Sequence, residues 1–149
     1  MEEQLPTTFT DKPTILLVDD EESILNSLRR LLRGQPYEVL LATSGEQALD
    51  IMAKQPVDLV MSDARMPNMD GATLLAHIHQ RHPDTLRSLL TGYADLTMIV
   101  KAINDGQIDR YISKPWHDEE LLLTLRQSLA YQRSERERLH LVQETWEQT

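Results

Sequence analysis

Cysteine is absent from the 149-residue chain, so neither a disulfide nor a thiolate metal site can form, and the reducing cytoplasm is a compatible home. Long hydrophobic runs are absent too. The longest, such as ILLV at 15–18, fall far short of a membrane span. The opening MEEQLPTTFTDKP lacks the basic segment and apolar stretch of a secretory signal and reads as a disordered polar leader over 1–13. Positive charge is scarce: 15 Lys and Arg face 24 Asp and Glu, a net charge of −9 that argues against nonspecific binding to nucleic acid or anionic lipid. Such a balance leaves room for a divalent-cation site. No repeat, no G-x-G-x-x-G and no Walker-type lysine loop occurs, which leaves dinucleotide-binding and nucleotide-hydrolysing functions without support. His77 and His79 fall on different helix faces, and with His82 they lack the companions of a tetrahedral zinc set.

Five short apolar runs alternate with five helical patterns. The runs are TILLV (14–18), YEVLLA (37–42), VDLVMS (57–62), LRSLLT (86–91) and DRYIS (109–113). The first and third are almost continuously apolar, as strands covered by helices on both faces must be. Between them, apolar residues recur at the helical period: Ile24, Leu25, Leu28, Leu31 and Leu32, with Gly34 as C-terminal cap; then Ala48, Leu49 and Met52 behind a capping box of Ser44 and Gln47. Leu74, Leu75 and Ile78 follow. Met98, Ile99, Ala102 and Ile103 mark a helix ending near Gly106, and Leu121, Leu122, Leu125 and Leu129 mark the fifth. Strict alternation with short connections predicts an α/β fold, a doubly wound five-stranded parallel sheet over 14–130. Ligands of such sheets bind beyond the carboxyl ends of the strands.

Those ends deliver a coherent set. The first strand ends at Asp19 and Asp20, the third at Asp63, the fourth at Thr91 and Gly92, and the fifth at Lys114 before Pro115. Singly, the first two acids read as helix caps, Asp63 as a turn residue, Thr91 as an ordinary strand residue and Lys114 as a solvated lysine. Together they bring three carboxylates, a hydroxyl and an ammonium to one rim. Crowded carboxylates repel one another, and hard oxygen ligands at one point suit Mg²⁺. Lys114 and Thr91 would hold the oxygens of a phosphoryl group, and a carboxylate is a competent nucleophile toward phosphorus.

In this order and at these intervals, Asp19-Asp20, DARMPNMDG (63–71), Thr91-Gly92 and Lys114-Pro115 resemble the receiver domain of two-component response regulators. The resemblance implies a flavodoxin-like three-layer sandwich with strand order 2-1-3-4-5. It implies that Asp63 accepts a phosphoryl group from a sensor histidine kinase or a phosphotransfer protein. Mg²⁺ would be held by Asp20, Asp63 and the backbone carbonyl of Arg65, with Asp19 acting through water. Lys114 would pair with the phosphoryl oxygens, Thr91 would move toward them, and Tyr111 would swing inward behind it. The chain would then be a signalling switch rather than an enzyme acting on another substrate. Two rivals are an aspartate-nucleophile phosphatase and a pseudo-receiver that binds partners without phosphorylation. Against the first, Arg65 stands where such phosphatases place a general acid, and arginine cannot trade a proton near neutral pH. The second is disfavoured because all five key residues are present.

Two further expectations concern the end of the chain. A cis Lys114–Pro115 bond suits the sharp turn into the last helix and is also implied by the resemblance. Toward the end of the chain, Leu125, Gln132, Leu139 and Trp146 recur every seven residues. This spacing reads as a helical linker over 131–149 that runs past the sheet toward an output domain and offers a weak homodimer seam. The stretch IDRYISKPWHDEEL also resembles receivers attached to cyclic-dinucleotide phosphodiesterases or transcriptional activators.

Overall fold

A computed structural model describes residues 12–92 and 95–148, with residues 144–148 described by backbone alone. Apart from Lys12 and Pro13, the expected leader therefore lies outside the described residues. Five parallel strands, β1 (Thr14–Val18), β2 (Glu38–Ala42), β3 (Leu59–Asp63), β4 (Leu86–Gly92) and β5 (Arg110–Lys114), form one sheet in the order β2-β1-β3-β4-β5. The helices are α1 (Glu22–Leu32), α2 (Gly45–Lys54), α3 (Gly71–Arg81), α4 (Leu96–Lys101) and α5 (Asp118–Gln148).

The continuous apolar runs follow from the layering. Successive residues of a strand point to opposite faces. Leu16, Val18, Val60 and Leu89 pack on one side against α2, α3 and α4, while Ile15, Leu17, Leu59, Met61 and Leu90 pack on the other against α1 and α5. Both faces are covered, which excludes polar alternation in β1 and β3 and holds their carboxyl ends rigidly. β3 begins two residues later than its apolar run. Asp58 is drawn off to the entrance of β1, where its Oδ2 accepts the Thr14 N–H at 2.7 Å and its own N–H donates to the Thr14 carbonyl at 2.9 Å.

Local chemistry sets the helix ends. Ser44 Oγ accepts the Gln47 N–H at 3.1 Å, but the returning half of the capping box falls one residue early, since Gln47 Oε1 accepts from the Thr43 N–H at 2.6 Å. Gly34 takes φ +88° just past α1, the left-handed conformation that glycine reaches without penalty. α4 departs from the expected regular helix. After Lys101 it widens into a π-turn over Ala102–Gly106, which leaves Ile103 48% exposed while Met98, Ile99 and Ala102 stay buried. Arg87, buried within β4, holds the end of that turn. Its Nε donates to the Gly106 carbonyl at 2.7 Å and its Nη2 to the Gln107 carbonyl at 3.1 Å.

The expected seam along the last helix is divided between the domain and solvent. Leu125 is 1% exposed in this domain's own core, and the buried Gln132 donates through Nε2 to the Asp84 and Asp58 carbonyls at 2.8 and 3.2 Å. Arg136 adds an ion pair to Asp58 at 3.3 Å. The first two residues of the stripe thus pack on this domain, and contact with the domain runs past residue 130. Leu139 is exposed, and the Trp146 side chain lies outside the described residues.

Candidate functional site

Parallel pairing aligns the strand ends: Asp63 sits opposite Leu90, Thr91 opposite Ser113 and Gly92 opposite Lys114. Asp19 follows β1, tied by its N–H to the Ala42 carbonyl at 3.1 Å. Asp19, Asp63 and Thr91 are buried, and Asp20 turns outward to solvent. All five residues expected at this rim are brought to it. Lys114 Nζ bonds Asp63 Oδ1 at 2.7 Å and Asp19 Oδ2 at 3.2 Å, joining the two buried carboxylates. The Lys114–Pro115 bond is cis.

The three carboxylates meet a simple fit test for a hard divalent cation: one oxygen from each of Asp19, Asp20 and Asp63 lies within 4.8 Å of the others. Burial raises the Asp19 and Asp63 carboxyls above the usual aspartate value despite hydrogen bonds from the Glu21 N–H to Asp19 and from Lys114 to both. Neighbouring charge adds to this, Asp63 acting on Asp19 and Asp20 on Asp63. Burial also pulls on Lys114, but its bonds to Asp63 and Asp19 outweigh that and hold the ammonium above the ordinary lysine value. Anionic oxygens gathered in a poorly solvated place are stabilised by a cation, and Lys114 alone supplies too little charge for three of them.

The site opens into a cavity of about 530 Å³ between the β3–α3 and β4–α4 connections, with Asp63, Arg65, Thr91 and Lys114 on its wall. The β3–α3 loop is closed tightly by the Gly71 N–H, which donates to the Ala64 carbonyl at 2.8 Å. Asp70 caps α3, accepting the Thr73 N–H at 2.7 Å. An aspartate directly before a helix was the available signal for that cap. Thr91 Oγ1 donates to the Gly92 carbonyl at 3.1 Å, and Tyr111 is 53% exposed on β5. The Arg65 guanidinium, given no role by the sequence, forks onto Asp95 with Nε–Oδ2 2.6 Å and Nη2–Oδ1 3.0 Å. Nothing in residue spacing links those two positions.

Comparison with known proteins agrees with this geometry. The family model of the response regulator receiver domain matches residues 15–126. The signal receiver domain of an HD domain-containing protein from Pseudomonas fluorescens is 57% identical, with a TM-score of 0.83 over 86% of this chain and 94% of that one. A CheY-like receiver domain protein from Methanospirillum hungatei is 33% identical, with a TM-score of 0.79 over 83% of this chain and 98% of that one. Among curated proteins, the transcriptional regulatory protein ZraR of Escherichia coli is 40% identical over 83% of this chain and 28% of its own length. For the DNA-binding transcriptional regulator NtrC of Klebsiella pneumoniae the figures are 37%, 82% and 26%. The chain spans about a quarter of the length of the curated relatives it matches. Strand order, strand-end residues and these likenesses converge, and the chain belongs to the response regulator receiver domains.

Proposed function

We propose that the chain is a phosphoacceptor switch in which Asp63 takes a phosphoryl group from a phosphohistidine of a sensor kinase or phosphotransfer protein. The observation that carries this reading is the Asp63 carboxylate itself. It is held at 2.7 Å by Lys114, lies within ligand distance of Asp19 and Asp20, and faces an open cavity. A carboxylate oxygen of Asp63 attacks phosphorus. The P–O bond forms as the donor P–N bond breaks, and the departing imidazole keeps the electron pair and takes a proton. Asp20, Asp63 and the Arg65 carbonyl would hold Mg²⁺, with Asp19 acting through water, and the ion would supply positive charge beside the transferring group. Lys114 moves its ammonium from the carboxylate oxygen to a phosphoryl oxygen, a short shift that preserves its charge pairing. The Thr91 hydroxyl leaves the Gly92 carbonyl for another phosphoryl oxygen, and Tyr111 turns into the space behind it. The α4–β5 face then changes shape and biases a two-state equilibrium.

The longer curated relatives support placing this domain in a larger regulator, and α5 would carry the change toward an output domain. The phosphatase alternative gains nothing from the geometry, because the guanidinium of Arg65 is directed to Asp95.

Incubation with acetyl phosphate and Mg²⁺ should add the mass of one phosphate to the intact chain, and removing the metal with a chelator should prevent it. Asp63→Asn should take up none. Metal-independent uptake, or uptake that survives Asp63→Asn, overturns the proposal.

A further inference from the structure

Asp95 occupies the N-cap position of α4, where an aspartate is among the best residues for accepting first-turn N–H groups, yet its side chain accepts none of them. The carboxylate is committed instead to the two-pronged pair with Arg65. Arg65 lies two residues beyond Asp63 on the wall of the same cavity, and its side chain is 73% exposed. The Asp95 side chain is 14% exposed, but the arginine half of the pair lies open to water, which keeps its strength comparable to the helix cap it displaces. The guanidinium fork also matches the geometry of a phosphoryl group, which carries more charge than a carboxylate. At its other end α4 is held by Arg87 through the Gly106 and Gln107 carbonyls, which leaves the N-terminal turn as the end without a side-chain cap.

We propose that Arg65 and Asp95 form an exchange latch, a regulatory role that rests on the phosphoacceptor reading. In the resting chain the guanidinium withholds Asp95 from α4. When Asp63 carries a phosphoryl group, the guanidinium turns to its oxygens, and the released carboxylate caps the N–H groups of Thr97 and Met98. No covalent bond changes; two contacts of similar strength are exchanged. Leu96, Val100 and Ile103, exposed at 68%, 50% and 48%, ride on this helix, so the latch couples the site to an apolar surface.

Amide hydrogen exchange at Thr97 and Met98 tests the latch in the full chain. Before phosphorylation, Asp95→Asn should exchange about fivefold more slowly than the parent, because asparagine caps as well as aspartate and cannot form the ion pair. Arg65→Ala should match it, whereas Asp95→Ala should remain as fast as the parent. Phosphorylation should slow the parent to the Asp95→Asn rate and leave Asp95→Ala unchanged. Equal rates in the parent and Asp95→Asn before phosphorylation overturn the latch, as does unchanged exchange in a parent whose mass shows the phosphoryl group. A parent that takes up no phosphate overturns the phosphoacceptor reading instead. The four unphosphorylated proteins then still decide whether the pair withholds the cap.

Discussion

Gly71→Ala should destabilise the fold by about 3 kcal/mol, at the upper end of the overpacking range, and should cripple phosphorylation at the same time. A methyl group at residue 71 would overlap the Asp63 carbonyl oxygen and lie 3.0 Å from both the Ala64 Cα and the Asp63 carbonyl carbon. Every one of these neighbours is backbone, so no side chain can step aside. They also belong to the residues that aim the Asp63 carboxylate, and relief of the overlap must move the end of β3 or pull α3 away from it. The second course breaks the 2.8 Å bond from the Gly71 N–H to the Ala64 carbonyl. Urea denaturation measures the loss, and phosphorylation by acetyl phosphate at low temperature reports on the carboxylate. An alanine tolerated within about 1 kcal/mol would mean that the loop is far less tightly constrained than its contacts require.

Lys114→Met should cost about 3 kcal/mol near neutral pH, the usual penalty for removing one partner of a largely buried ion pair. The methionine keeps most of the aliphatic stem, so the loss isolates the charge. Its pH dependence follows from the titrations. Asp19 and Asp63 are raised in the folded chain, chiefly by burial, so their ionisation weakens the fold. Stability from these two groups is fullest below the ordinary carboxylate range near pH 4 and declines as pH climbs through their raised values. Lys114 opposes that decline. Burial lowers its ammonium's affinity for a proton, but the pairs with Asp63 and Asp19 prevail. Its contribution is therefore complete below the ordinary lysine value of about 10.4 and lost as pH rises through its raised value. Without it, the deficit against the parent should shrink as pH falls from 7 toward 4, and millimolar Mg²⁺ should recover part of it at pH 7. Denaturation curves at both pH values, with and without the metal, provide the check. A deficit that does not change with pH would assign the effect to packing of the stem.

The sheet and its rim were legible from the chain because both are written in local signals. Five apolar runs of strand length disclose the elements, and four of them carry a polar or charged group at or just past their ends. The parallel order then forces Asp19, Asp63, Thr91 and Lys114 to one side. What escaped reading depends on which partner a side chain chooses. Gln132 shares a seven-residue stripe with Leu125 and Leu139, and a stripe does not say whether it faces its own sheet or another helix. Arg87 carries no sequence signal of its partners, because the π-turn is what brings two carbonyls to it. The π-turn itself is invisible to a 3.6-residue period, which Met98, Ile99, Ala102 and Ile103 satisfy equally well as a plain helix. The Arg65–Asp95 pair joins residues thirty positions apart that both lie in loops, so neither belongs to a periodic pattern that could announce the other.

An acyl phosphate at Asp63 is the species on which the switch turns. Borohydride reduces an acyl phosphate to an alcohol, which converts a phosphorylated aspartate into homoserine and leaves phosphohistidine and phosphoserine unreduced. The phosphorylated chain, trapped in this way, digested and mapped by tandem mass spectrometry, should contain homoserine at position 63 and at no other aspartate, and only when Mg²⁺ was present during phosphorylation. Homoserine at Asp19 or Asp20, or a phosphate that survives the treatment on a histidine, serine or threonine, would contradict it.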